Sequence, residues 1–203
     1  MPLHVPQAPA CALHCVRTAL ATPTVTRGRR VPPAVRAAAG ALRCETPLPV
    51  YVLAHLDDSG KGRCVQLVGW RFLLRAEHTV GAAEVRATDD GWAFSHFCDG
   101  PYVVSAERAL RQAEQLPGGH RPRLLSVPGL YMLLLWLRDV AAADHPVDDT
   151  SPRPVAGWPA ATDLLVPLAP APPGIPAHQP CRADQLLPRL TRRLATATLA
   201  TSA

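Results

Sequence analysis

Arg123-Leu-Leu-Ser-Val-Pro-Gly-Leu-Tyr-Met-Leu-Leu-Leu-Trp-Leu-Arg138 is the stretch around which the chain is organised. Everything from Leu130 to Leu137 is apolar, so neither a helical stripe nor a strand alternation can be picked out. An element that is apolar on every side belongs in the middle of a core. It is too short to cross a bilayer, which takes about 20 apolar residues. Leucine favours helix and Pro128 suits a first helical turn. The length, bounded by Val-Pro-Gly before and Arg-Asp after, nevertheless predicts a central strand in preference to a buried helix. The apolar run Leu164 to Leu168 is its expected antiparallel partner.

Upstream, Val50 to Leu56 and Cys64 to Leu74 are β-branched, aromatic and apolar, and Asp57-Asp58-Ser59-Gly60-Lys61-Gly62 between them is dense in turn formers. They read as a hairpin, with Gly69 marking a bulge. Ala82 to Thr88, Asp89-Asp90-Gly91, and Trp92 to Cys98 repeat the arrangement. Ser105 is read as the cap of a helix to about Leu116, with Ala106, Ala109, Leu110, Ala113 and Leu116 on one face and a Glu107–Arg111 pair. Pro117-Gly118-Gly119 stops it. Asp184 to about Leu199 predicts a last helix lined by Leu186, Leu187, Leu190 and Leu194, with Pro188 placed in its first turn. The fold class is therefore α+β: a single domain with an antiparallel sheet from two N-terminal hairpins, one central helix, further hairpin strands and a C-terminal helix.

The division expected is a flexible basic arm over residues 1–48, an α+β core over 49–169, and a proline-rich linker with an amphipathic helix over 170–203. The arm is punctuated by proline and offers only Pro32 to Leu42 as a short alanine-rich helix. Charge follows the same division. Residues 1–49 carry Arg17, Arg27, Arg29, Arg30, Arg36 and Arg43 against Glu45 alone, whereas residues 50–150 carry ten basic and thirteen acidic groups. The overall charge of +5 thus lives in the ends, and the body lacks the basic stripe of a nucleic-acid-binding domain. Lys61 is the only lysine, and with abundant alanine, proline and leucine this points to GC-rich coding, as in a high-GC bacterium. The 203 residues suffice for one core, while 23 prolines argue against long helices.

Six cysteines are scattered through a chain too long for a small disulfide scaffold. No secretory n-region precedes Ala10 to Ala21 and no transmembrane run appears, so the expectation is a cytoplasmic protein with reduced thiols.

Three groups invite chemistry. Cys11-Ala-Leu-His14-Cys15 offers zinc-type ligands, but Cys44 and Cys181 stand alone and no second pair completes four ligands. His96 and Cys98 share one face of their strand, where an imidazole beside a thiol can make a nucleophile or two metal ligands, with His55 a further partner if the strands align. The plainer reading is a half-buried histidine and a core cysteine. Asp57-Asp58, Asp89-Asp90 and Asp148-Asp149 resemble carboxylate pairs for Mg²⁺ or acid–base work, yet the first two fall in turns that want aspartate anyway. No phosphate-cradling loop, nucleophile elbow or HExxH occurs. The aromatics Tyr51, Trp70, Phe72, Trp92, Phe94, Phe97, Tyr102 and Tyr131 concentrate in the β region and suit a core or a protein contact.

These readings favour a non-enzymatic protein-binding, adaptor or assembly component with a protein partner or a second copy of itself, no cofactor and no metal. The alternative is a small enzyme centred on Cys98, His96 and His55. A third is electrostatic binding of nucleic acid through Arg27, Arg29, Arg30, Arg189, Arg192 and Arg193.

Overall fold

The computed structural model describes residues 3–56, 62–140 and 156–201. Strands β1 (Arg43–Leu56), β2 (Gly62–Arg75), β3 (Thr79–Thr88) and β4 (Gly91–Cys98) form the two expected hairpins, paired antiparallel in sequence order. Helix α4 (Pro101–Ala113) follows, and then the central run resolves into strand β5 (His120–Val127), a 3-10 turn at Pro128–Leu130, and strand β6 (Met132–Asp139). The short strands β7 (Ala156–Gly157), β8 (Leu164–Pro167) and β9 (Cys181–Arg182) precede helix α5 (Ala183–Thr201). One sheet orders the strands β4-β3-β2-β1-β5-β6-β8-β9, with β7 on β2.

β6 is a strand, and its continuous apolar character has a simple cause. Both of its faces are covered. Leu133, Leu135 and Leu137 meet Val103, Ala106, Ala109 and Leu110 of α4. Met132, Leu134 and Trp136 meet Leu186, Leu187, Leu190 and Leu194 of α5. β8 is its antiparallel partner, with Leu165 opposite Trp136. On its other side β8 pairs β9 through Leu164 and Leu165. The sheet is also not wholly antiparallel: β5 enters beside β1 in parallel, after α4 has carried the chain back across the sheet.

The Gly69 bulge is present. Val50 pairs Gly69 while Tyr51 pairs Leu67, leaving Val68 as the extra residue. That single insertion reverses the side-chain parity of β2, so Val65, Leu67, Trp70, Phe72 and Leu74 all face the same way. A Cβ on Gly69 would lie 2.2 Å from the Val85 carbonyl oxygen, so only glycine lets β3 approach here.

Four local expectations are corrected. First, residues read as a flexible arm are helical: α1 (Ala10–Ala21), α2 (Pro23–Thr26) and α3 (Pro33–Ala37). Ala12, Val16, Ala19, Val31 and Val35 are buried against Trp70, Phe72, Leu74, Ala83, Val85 and Phe97. A sheet side of large aromatics needs a small-residue helix to close it, and an alanine-rich helix supplies one. Second, Ser105 is not a cap. The helix begins at Pro101 behind Gly100, and Ser105 is a buried inward residue whose Oγ accepts the Ala169 N–H at 2.7 Å and lies 3.1 Å from His178 Nε2. Third, Pro188 sits inside α5 and not in its first turn, since the helix already starts at Ala183. Fourth, the Pro170–Pro180 stretch is not an independent linker: Ile175 is buried, and Arg193 Nη1 donates to the Pro173 carbonyl at 2.7 Å.

Two buried charged side chains anchor the α5 side. Arg123 lies over the rings of Tyr51 and Trp136, 5.3 and 5.0 Å from their centroids. Asp163 accepts the Trp136 indole N–H at 2.7 Å and the Ala160 backbone N–H at 2.9 Å. Among the described residues no helix is long and apolar enough to cross a membrane.

Candidate functional site

The strand register places Leu48, Arg71, Glu84 and His96 in one row across β1 to β4, with Cys98 one step further along the same face. Arg71 donates from Nε and Nη2 to Glu84 Oε1, the Nε contact at 2.9 Å. Glu84 Oε2 lies 3.7 Å from His96 Nε2, and Ser95 Oγ lies 3.0 Å from His96 Nδ1. One ligand atom from each of Glu84, His96 and Cys98 falls within 4.8 Å of the others. The His96–Cys98 pairing expected from strand alternation is therefore found. Glu84 and Arg71 were missed, because nothing but the register between three strands brings them there.

His55 does not join them. It pairs Arg63, seven residues along β1 from Leu48. At about 3.3 Å per residue, that is more than 20 Å along a strand that is itself separated from β4 by β2 and β3.

The electrostatics disfavour a thiolate nucleophile. Burial, with help from Glu84 and Asp99 and against the opposing pull of Arg71, pushes the Cys98 thiol up to about 11. Attack requires the thiolate, and at neutral pH this sulfur carries its proton. Cys44 is shifted the same way by burial, opposed by Arg17.

The remaining sequence candidates do not assemble. In α1, Cys11 and His14 are exposed, while the Cys15 thiol donates to the Trp92 carbonyl at 3.2 Å, so the three do not converge. Asp89-Asp90 occupies a turn closed by a Thr88 Oγ1 bond to the Gly91 carbonyl at 3.1 Å. Asp57-Asp58 and Asp148-Asp149 lie outside the described residues. The aromatics are mostly core, with Phe94 and Phe97 centroids 4.8 Å apart and Tyr51 set edge-on to Trp136. Tyr131 is the exception, 90% exposed at a left-handed turn.

Folding of the N-terminal helices creates a site that the sequence reading placed in a tail. Arg17 of α1, Arg27 after α2, Arg36 of α3 and Arg43 of β1 wall an open concavity of about 770 Å³, floored by Leu20, Leu42 and Cys44. All four arginines are exposed, and none of their guanidinium groups has a hydrogen-bond or ion-pair partner among the described residues. No carboxylate lines the concavity. The arginines of α5 lie elsewhere: α5 covers β5, β6 and β8, whereas α1 to α3 cover β2 to β4. Arg189 and Arg193 also donate to the carbonyls of Gly174 and Pro173. The two basic ends therefore form separate surfaces. No family model matches this chain, and neither a curated protein nor a solved structure matches it.

Proposed function

We propose that this is a non-enzymatic binding protein whose partner presents an acidic, aliphatic-bearing protein segment to the concavity walled by Arg17, Arg27, Arg36 and Arg43. The observation that carries this reading is the wall itself: four unpartnered guanidinium groups around one hollow with no acid on its lining. Like charges held together repel one another, and an anion relieves that repulsion.

Magnitudes indicate the kind of partner. Exposed ion pairs contribute about 0.2–1 kcal/mol each, so four supply at most about 4 kcal/mol, which alone is millimolar binding. A useful affinity needs apolar contact as well, and Leu20, Leu42 and Pro23 provide the surface for it. A nucleic acid fits less well. Single strands are held by stacking on aromatic rings, and no aromatic residue lines this hollow. The body of the chain, residues 50–150, also carries more acidic than basic groups and would repel a long polyanion.

Fluorescence anisotropy with a labelled peptide of alternating glutamate and leucine, run beside an oligothymidine of equal charge, tests the proposal. The peptide should bind more tightly than the oligonucleotide and weaken as salt rises. Absence of peptide binding at low salt, or a tighter oligonucleotide, overturns it. Light scattering of the protein alone separates a foreign partner from a second copy: a stable dimer with the hollow occluded would replace the proposed partner by self-association.

A further inference from the structure

We infer that Glu84, His96 and Cys98 form a binding site for one Zn²⁺ ion on the sheet face opposite α1, independent of the arginine-walled concavity. The three donor atoms already lie within 4.8 Å of one another. Zinc bonds of about 2.0–2.3 Å in a tetrahedron put ligand atoms roughly 3.3–3.7 Å apart. Glu84 Oε2 and His96 Nε2, at 3.7 Å, meet that spacing without rearrangement. The sulfur needs to close by at most about 1 Å, within the reach of a side-chain rotation.

The surroundings fix the donors in the orientation a metal needs. Arg71 holds Glu84 Oε1, so Oε2 is left as a single carboxylate donor facing the histidine. Ser95 Oγ is placed to accept Nδ1–H of His96, which leaves the Nε2 lone pair for the ion. Coordinated ligands commonly have such outer partners; here Arg71 comes from the neighbouring strand β2 and Ser95 precedes His96 on β4 itself. A mixed oxygen, nitrogen and sulfur set selects Zn²⁺ over Mg²⁺ or Ca²⁺, which take oxygen ligands. On binding, Cys98 gives its proton to water and its sulfur becomes the third ligand. Three protein donors leave a fourth position open. His96 is 49% exposed on its side chain, and Arg71 and Glu84 also line a neighbouring hollow of about 610 Å³ on the same face, bounded by Val50, Val52, Gln66 and Ser126. Water or a small anion would occupy that position.

The test is equilibrium dialysis of the full chain against Zn²⁺, with Co²⁺ as the spectroscopic probe. One equivalent should bind, and Co²⁺ should give a sulfur-to-metal charge-transfer band. Cys98→Ser should abolish that band, and His96→Asn, which removes a ligand, should weaken binding by at least the roughly 10- to 100-fold that loss of an outer partner alone costs. His96 is half-exposed, so the second variant reports on the site even if Cys98→Ser fails to fold. Binding should survive Cys11→Ser combined with Cys15→Ser. No saturable equivalent, or one lost with Cys11 and Cys15 and indifferent to His96→Asn, overturns the assignment.

Discussion

Replacing Val16 by aspartate should release α1 from the sheet and leave the rest of the fold standing. Val16 is fully buried between α1 and the side of the sheet that carries Phe72, Val85 and Phe97. Burying a valine side chain contributes about 1.5–3 kcal/mol, and burying an unpaired carboxylate in its place costs several kcal/mol more. The docked face of α1 consists of Ala12, Val16 and Ala19. By apolar area it is worth only about 3–5 kcal/mol in total. The penalty therefore exceeds what the helix gains by staying, and undocking is the cheaper outcome. Val16→Ala removes only two carbons, costs about 1.5–3 kcal/mol, and should leave the helix in place. Limited trypsinolysis reads the difference at Arg17, an exposed residue in the middle of α1, where cleavage requires local opening. In the parent protein and in Val16→Ala, Arg17 should be cut slowly. In Val16→Asp it should be cut first, while a fragment spanning β1 to β6 persists. Rapid cleavage at Arg17 in the parent protein, no slower than in the aspartate variant, would refute the docking and restore the flexible arm.

Three further outcomes follow from single interactions. Asp163→Ala leaves the Trp136 indole N–H buried without its acceptor, and should lower stability by about 2–4 kcal/mol in urea unfolding, far more than Asp184→Ala on the surface. His178 titrates below its ordinary range because burial, and secondarily Arg108, disfavour its charged form. The unfolded chain therefore takes up the proton first; stability is complete above the usual histidine range and falls as pH drops through it, and His178→Asn, which tolerates the left-handed backbone at this position, should flatten that slope. Iodoacetamide mapped by mass spectrometry at neutral pH should label the exposed Cys11 well before Cys98, whose labelling should accelerate only as pH climbs toward about 11; early labelling of Cys98 would mean a thiolate.

Much of the fold was legible where the pattern had a single explanation. Two alternating runs around Asp-Gly-rich turns could only be hairpins, and Gly69 declared its bulge because a side chain there has nowhere to go. The β6 run was read as a strand from length, and the reason it does not alternate is the pair of helices covering both faces. α1 was missed because its buried face is Ala12, Val16 and Ala19. Such a stripe has little contrast with an alanine-rich background, and Pro9 before it offers no capping side chain. Its packing is set instead by the large residues Trp70, Phe72 and Phe97, distant in sequence. The same holds for the sites. His96 and Cys98 share a face by strand alternation alone, so they were visible; Glu84 and Arg71 arrive through the pairing of β2, β3 and β4. The arginines of the first 43 residues were counted correctly but assigned to a tail, because the helices that gather four of them around one hollow carry no readable signal of their own.

The central claim is that these gathered arginines, and not net charge, confer binding. The direct measurement is the affinity of the labelled acidic peptide for the double variant Arg17→Glu with Arg36→Glu, compared with Arg121→Glu plus Arg192→Glu, which changes the overall charge equally at exposed positions outside the hollow. Two lost contacts are worth about 0.5–2 kcal/mol and reversal adds repulsion, so the first pair should weaken binding at least about 2- to 30-fold at low salt, and the second should leave it near the parent value. Equal weakening by both pairs would contradict the account, because it would mean that the peptide senses only the charge of the whole molecule.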